Sequence, residues 1–190
     1  LVYEVVDNSV DEAMAGRANE INVSIHADSS VTVVDNGSGI PVGPHPTVKG
    51  MDTLDVVLTK LHAGGKFGGD GLHGVGVTCV NALSEWFKAE VYREGKVWAQ
   101  RYDRGTPAGK VTAIGETQRR GTKITFKPDA TIFEVTEFSF ETLSGRLREL
   151  AFLNAGLKIT IEDERSGKRH EFLFKDGIRE FVAYLNKSRD

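Results

Sequence analysis

The sequence predicts an α+β protein, a two-layer sandwich in which a mixed β-sheet is covered on one face by helices. Three observations predict it. Stretches with an apolar repeat of three to four residues and stretches that alternate apolar and polar residues are intermixed along all 190 residues, without the strict succession of a parallel α/β fold. Hydrophobic residues make up 39% and charged residues 27%, an ordinary globular balance that suffices for one real core. No internal repeat, interdomain linker or low-complexity tract interrupts the chain, so residues 1–190 read as a single domain.

The elements follow in order. LVYEVVDNSVDEAMAG opens the chain as an amphipathic helix. At about 100° per residue, Val2, Val5, Val6, Val10 and Ala13 fall on one side and Glu4, Asp7, Asn8, Asp11 and Glu12 on the other. Gly16 stands where a C-terminal cap glycine belongs. EINVSIHADSSVTVVDNG alternates at Ile21, Val23 and Ile25 and again at Val31 and Val33, giving two strands joined by a turn at Asp28–Ser30. MDTLDVVLTKLHAGG reads as a helix ending at a glycine pair, and VTCVNALSEW as a second, apolar helix. KAEVYREGKVWAQRYD is a hairpin around Glu94–Gly95, followed by strands at KVTAIGE and GTKITFKPD. SFETLSGRLRELAFLN is an amphipathic helix, KITIEDERSGKRHEFLFK another hairpin, and GIREFVAYLN a closing helix.

Composition narrows the function. A net charge of −3 gives no electrostatic footprint for a phosphate backbone, so no direct DNA binding is expected of this chain. The single cysteine, Cys79, excludes an internal disulfide, lacks partners for a zinc site, and reads within TCVNAL as a small core residue. His26, His45, His62 and His170 show no ligand spacing. No signal peptide or membrane-length apolar run appears, which fits a cytoplasmic protein. The chain opens inside a helix pattern without a cap or an initiator methionine, so we expect a piece of a longer protein.

Four stretches carry chemistry. GLHGVG, Gly71 to Gly76, directly precedes an apolar helix, where backbone N–H groups and the positive end of the dipole suit a phosphate; a flexible loop fits it equally. Its spacing is neither a Walker A nor a GxGxxG. DNGSGIP sets Asp35 at a strand end before Gly37 and Gly39, suited to accept an amino-group hydrogen bond from a ring lying on bare backbone; a plain Asx/Gly turn is the alternative. GGKF puts Lys66 in a glycine-rich stretch, either a mobile lid whose lysine reaches a phosphate or a solvated surface lysine. The acidic stripe of the first helix is a solvated face unless Asn8, one turn from Glu4, has a ligand to meet.

Together and in this order, EVVDNSVDEAMAG, DNGSGIP, LHAGGKF, GLHGVGVTCVNALS, RRGTKITFKPD and LRELAFLNAG resemble the GHKL (Bergerat) ATP-binding fold. Within it they resemble the ATPase domain of the B subunits of bacterial type II topoisomerases, DNA gyrase and topoisomerase IV, from Leu1 to Lys187. Other GHKL ATPases are similar in the skeleton alone. The resemblance implies an ATP-hydrolysing isomerase that couples the reaction to DNA strand passage and supercoiling, with the topoisomerase's A subunit and DNA as partners of the whole enzyme. It implies Glu4 as the general base that polarises the water attacking the γ-phosphate, and Asn8 as the ligand of the Mg²⁺ that bridges the phosphates. Asp35 then accepts the adenine amino group, assisted by a bound water that Thr122 shares, over a pocket floor of Gly39, Ile40 and Pro41. Gly71, Leu72, His73, Gly74, Val75 and Gly76 wrap the phosphates, with Lys66 at the start of the lid. Glu12 and Arg93 belong to a rim that contacts aminocoumarin inhibitors.

The chain departs from the family pattern in three places. Ser38 stands where an arginine that pairs with Glu12 is expected; serine can neither stack a guanidinium plane on a ligand nor pair with Glu12, so inhibitors that rely on stacking are expected to bind more weakly, with ATP less affected. Only Gly68, Gly69 and Asp70 separate Phe67 from Gly71, so the lid is either shortened or missing residues. The family's N-terminal arm and transducer domain are absent, which leads us to expect a monomer that binds ATP and hydrolyses it slowly.

Overall fold

Helix α1 (Val2–Met14) buries Val2, Val5, Val6, Ser9 and Val10 and ends on Gly16, whose φ of +75° is the left-handed turn that glycine adopts without steric penalty. The structure, a computed structural model, describes residues 1–60, 71–133 and 138–187, with backbone alone for residues 71–75 and Ile178. After α1 come β1 (Glu20–Ile25), β2 (Val31–Asp35), α2 (Thr53–Thr59), α3 (Gly71–Ala82), β3 (Ser84–Arg93) and β4 (Lys96–Asp103). Then follow β5 (Thr106–Pro107), β6 (Thr112–Glu116), β7 (Gly121–Pro128), α4 (Phe140–Leu153), β8 (Lys158–Asp163), β9 (Lys168–Phe172) and α5 (Ile178–Lys187).

The strands form one mixed sheet in the order β5-β4-β3-β7-β2-β1-β8-β9, with β6 pairing the outer edge of β4 beside β5. Only the β1–β8 pair is parallel among the described strands. Register fixes which face is buried. Val23 lies opposite Val33 and Ile161, Val33 opposite Ile124, Ile124 opposite Ala89, and Ala89 opposite Gln100. Since side chains alternate along a strand, one face collects Ile21, Ile25, Val31, Phe126, Phe87, Val91, Tyr102 and Ile159, all buried. The helices lie on that face: α1 on β1 and β2, α3 on β3, and α4 on β8 and β9. The other face carries Asn22, Lys123, Thr125, Lys88 and Arg101. The expected α+β sandwich with helices on one face is what forms.

Two expectations about α3 need correction. Residues 71–76 do not precede this helix as a loop; they are its first turns, and the helix stops at Ala82 instead of running on to Trp86. Ser84 ends it by returning its Oγ to the Val80 carbonyl (2.6 Å), and Trp86 enters β3 because its neighbours Phe87 and Ala89 then fall on the core face. Cys79 is exposed, since the helix turns Val77, Thr78, Val80 and Asn81 inward and leaves position 79 outside. Among the described residues no helix is long and apolar enough to cross a membrane. The ten-residue stretch 61–70, which holds Lys66 and the lid, lies outside the described residues.

Gly121 opens β7 with a φ of +133°, and a Cβ there would run into the Asp35 carbonyl oxygen. The β2–β7 register at this end of the sheet therefore depends on glycine. Gly121→Ala is expected to destabilise the fold by roughly 2 kcal/mol, from an unfavourable φ plus the clash, measurable as a lower urea midpoint.

Candidate functional site

The open end of β2 carries the most unusual group in the fold. Asp35 is only 4% exposed, yet it lies on the core face between α1 and β7. It is there because the alternation that buries Val31 and Val33 also buries the residue two further on. Its carboxylate is held from two sides: Ser9 Oγ donates to Oδ2 at 2.7 Å and the Gly37 N–H to Oδ1 at 2.9 Å. Burial pushes the Asp35 carboxyl above its ordinary range, and the Ser9 and Gly37 hydrogen bonds offset part of that rise.

Thr122 is the register partner of Asp35 and equally buried. Its Oγ1 accepts the Ile40 N–H at 3.1 Å, which leaves the hydroxyl proton free to donate beside Asp35. Between them the chain runs through Gly39, whose φ of +85° and close approach to Val91 and the Gly121 carbonyl leave no room for a side chain. Arg93 reaches back from the end of β3 to donate to the Gly39 carbonyl at 3.0 Å. Pro41 is half-buried next in line. The structure thus brings Asp35, Gly39, Ile40, Pro41, Arg93 and Thr122 together.

The polar stripe of α1 forms the second wall. Glu4, Asn8 and Glu12 succeed one another at intervals of four and so share one side of the helix. At the near end, a Cβ on Gly76 would collide with Glu4 Oε2, so the glycine lets α3 pack against the carboxylate of α1. At the far end, Glu12 Oε2 accepts from the Ser38 N–H (3.2 Å) and Ser38 Oγ (3.0 Å). The expectation that Ser38 leaves Glu12 unpaired is therefore corrected: a short hydroxyl reaches the carboxylate because the loop runs directly over it. The guanidinium is supplied from elsewhere, by Arg17, which grips Glu12 with Nε at 3.1 Å and Nη2 at 3.2 Å. Partial burial raises the Glu12 carboxyl, but the hydrogen bonds from Arg17 and Ser38 outweigh it and hold it below its ordinary range.

Of the residues expected to meet a phosphate, Gly71 to Gly76 lie at the start of α3, where the first backbone N–H groups have no partner within the helix itself. The side chains of Leu72, His73 and Val75, and the whole of Lys66, lie outside the described residues. Helix α3 is fastened to the last turn of α2, whose carbonyls have no partners within their own helix. Thr78 Oγ1 donates to Val57 O at 3.2 Å and Asn81 Nδ2 to Leu58 O at 3.0 Å. Helix α2 is fastened in turn to β4, where buried Asp55 accepts from the Tyr102 hydroxyl at 2.6 Å and Gln100 Nε2 at 3.1 Å. No group of three or more His, Cys, Asp or Glu able to hold a metal ion occurs among the described residues.

Sequence reasoning missed Ser9, Arg17 and Gly121. Ser9 sits between Asn8 and Val10 on the buried side of α1, and a lone serine among valines was the available signal. Nothing in the sequence near Arg17 points to Glu12.

A sheet with helices on one face, a buried aspartate at a strand end, a glycine-walled loop and an acidic helix stripe facing a second helix together define an ATPase fold. The chain belongs to the family described as Histidine kinase-, DNA gyrase B-, and HSP90-like ATPase, which matches residues 1–132. Within that family it is 62% identical to the B subunit of DNA gyrase from Myxococcus xanthus and 55% identical to that from Thermotoga maritima, in each case over 100% of this chain. It is 51% identical to the B subunit of DNA topoisomerase 4 from Enterococcus faecalis. The chain spans 24%, 30% and 29% of the lengths of these relatives. In three dimensions it matches the crystal structure of the 43K ATPase domain of Thermus thermophilus gyrase B in complex with an aminocoumarin, with a TM-score of 0.89 and 42% identity. That match covers 97% of this chain and 48% of the other.

The raised position of Asp35 has a definite consequence for stability. Folding favours the protonated carboxyl, so the stability it contributes is complete below its unfolded value of about 3.9 and is lost as pH rises through the raised folded value. Above that raised value the fold carries a buried charge. Asp35→Asn is therefore expected to stabilise the ligand-free chain above it, with the gain shrinking as the solution is acidified through it. Thermal unfolding of both proteins across pH checks it.

Proposed function

We propose that this chain is the ATP-binding and hydrolysing domain of a cytoplasmic bacterial DNA gyrase, carried on its B subunit. In the whole enzyme, ATP hydrolysis would drive DNA strand passage and supercoiling together with the A subunit. The observation that carries the nucleotide reading is the Asp35 carboxylate, pinned by Ser9 and Gly37 beside the free hydroxyl proton of Thr122. An adenine ring offers an amino donor next to a ring-nitrogen acceptor, and this pair offers the complementary acceptor and donor. Gly39 and Ile40 leave backbone where the ring lies, with Pro41 beyond. Gyrase is preferred to topoisomerase IV because the gyrase B relatives named above are 62% and 55% identical, against 51% for the topoisomerase 4 relative.

With the ring at Asp35, the phosphates run along α1 toward Glu4 and the N-terminal turns of α3. Asn8 offers one neutral oxygen along that path, and its flanking carboxylates are Glu4 and Glu12. A single amide oxygen fits Mg²⁺, which retains waters and takes its remaining ligands from phosphates instead of requiring a protein cage. Bound Mg²⁺ would neutralise charge on the β- and γ-phosphates. Glu4, exposed and packed against Gly76, would accept a proton from the attacking water while the backbone N–H groups at the start of α3 hold the phosphate oxygens. Lys66 is assigned to the phosphate side as well.

Calorimetric titration with a non-hydrolysable ATP analogue and Mg²⁺ tests the assignment. Asp35→Asn is expected to weaken binding by about 1.5–3 kcal/mol, the worth of a hydrogen bond to a charged group. Glu4→Gln is expected to bind normally and to slow hydrolysis in the full-length protein by about 10²–10⁴. Silence of Asp35→Asn in the titration would remove the adenine assignment.

The rim formed by Glu12, Ser38 and Arg93 is proposed to meet aminocoumarin-type inhibitors, such as the one held by the Thermus domain. Ser38→Arg would add a planar cation at that rim, and we expect it to tighten aminocoumarin binding severalfold in a direct titration; unchanged affinity would count against the rim assignment.

A further inference from the structure

The connection between α1 and β1, residues 15–19, is tied to both sides of the adenine site. The Arg17 guanidinium takes both oxygens of Glu12, and Glu12 takes the backbone and side chain of Ser38. The Arg17 carbonyl accepts from Arg120 Nη2 at 2.7 Å, immediately before Gly121 and Thr122. Asn36 closes the third side: its Oδ1 accepts the N–H groups of Asn19 (2.9 Å) and Glu20 (3.1 Å), and its Nδ2 donates to Asn19 Oδ1 at 2.6 Å. Gly37 lies between the two carboxylates. A Cβ there would sit 2.8 Å from Glu12 Oε2 and 3.1 Å from Asp35 Oδ1.

From this geometry we infer that Arg17 is a positioning residue for nucleotide recognition, acting through Glu12 to hold the Asn36–Ser38 backbone that presents Asp35. The inference rests on the adenine reading above. Ser38 alone is a weaker tether, because both of its bonds fall on one oxygen of Glu12 and neither brings charge. Arg17 supplies a fork to both oxygens and the countercharge. That countercharge matters because Glu12 is a negative group close to a second, buried one, and its field adds to the burial that raises Asp35. Without Arg17, Glu12 and Asp35 would repel across a glycine, and the loop between them is the part free to move. The Arg17 side chain bonds Glu12 and stays 47% exposed.

The test is a cycle of titrations on the whole chain with the non-hydrolysable ATP analogue and Mg²⁺, using Arg17→Ala, Arg17→Lys, Glu12→Gln, Arg17→Ala with Glu12→Gln, and Asp35→Asn. Arg17→Ala is expected to weaken binding about threefold to fivefold, the range of a well-formed exposed Arg–carboxylate pair. Arg17→Lys should recover part of the loss, and Arg17→Ala should cause none in the Glu12→Gln background. Parent-like binding by Arg17→Ala, or an equal loss in both backgrounds, overturns the inference. The two readings fail separately. If Asp35→Asn loses binding while Arg17→Ala does not, only the positioning role falls; if Asp35→Asn is silent, the adenine reading falls and takes this role with it.

Discussion

Everything around the site depends on keeping one carboxylate, Asp35, out of water at the end of a core strand. Desolvating an ionised group is costly unless donors surround it, and here the donors come from two separate elements, Ser9 on α1 and the backbone of Gly37. The Ser9 bond is also the polar link between the first helix and the sheet, set among valines that supply the apolar one. The glycines at 37, 39 and 121 crowd the same few ångströms because backbone, not side chains, must close around the carboxylate and still leave a face open. The structure accepts a local instability, and a bound amino donor would relieve it.

The first helix has two tasks. Its valine stripe belongs to the core, and the opposite stripe has three separate surroundings four residues apart: Glu4 against α3, Asn8 between, and Glu12 under the Ser38 loop. Because one rigid helix carries all three, helix geometry alone holds these three groups at fixed separations.

A second chain of contacts links β4, α2 and α3. Tyr102 and Gln100 hold Asp55 of α2, and the end of α2 receives Thr78 and Asn81 of α3. Burial and the adjacent Asp55 carboxylate push the Tyr102 hydroxyl far above its ordinary range, so it remains a donor. Helices α2 and α3 are thereby fixed to the sheet at the positions that flank residues 61–70. The polar bonds at the last turn of α2 fulfil a general need of helix ends, since the last carbonyls must find partners outside the helix.

By itself the sequence determined the periodicities. The valine stripe of α1, the alternation of β1 and β2, the hairpins at Glu94–Gly95 and within β8–β9, and the capping Gly16 were all legible, because each depends on residues within a few positions of one another. The order of the motifs was enough to point to the ATPase family. What only the tertiary structure decided are contacts across long stretches of chain. Ser9 meets Asp35 over 26 residues, Ile40 meets Thr122 over 82, and Arg120 meets the Arg17 carbonyl over 103. The sequence marked position 38 as lacking an arginine, but not that one five residues beyond Glu12 takes the same carboxylate, nor that Ser38 reaches it too. It also extended the apolar helix to Trp86, where the sheet's demand for alternating Phe87 and Ala89 overrode local preference. Short-range pattern selects the elements; the register of the sheet and the docking of α1 decide which side chains share a site.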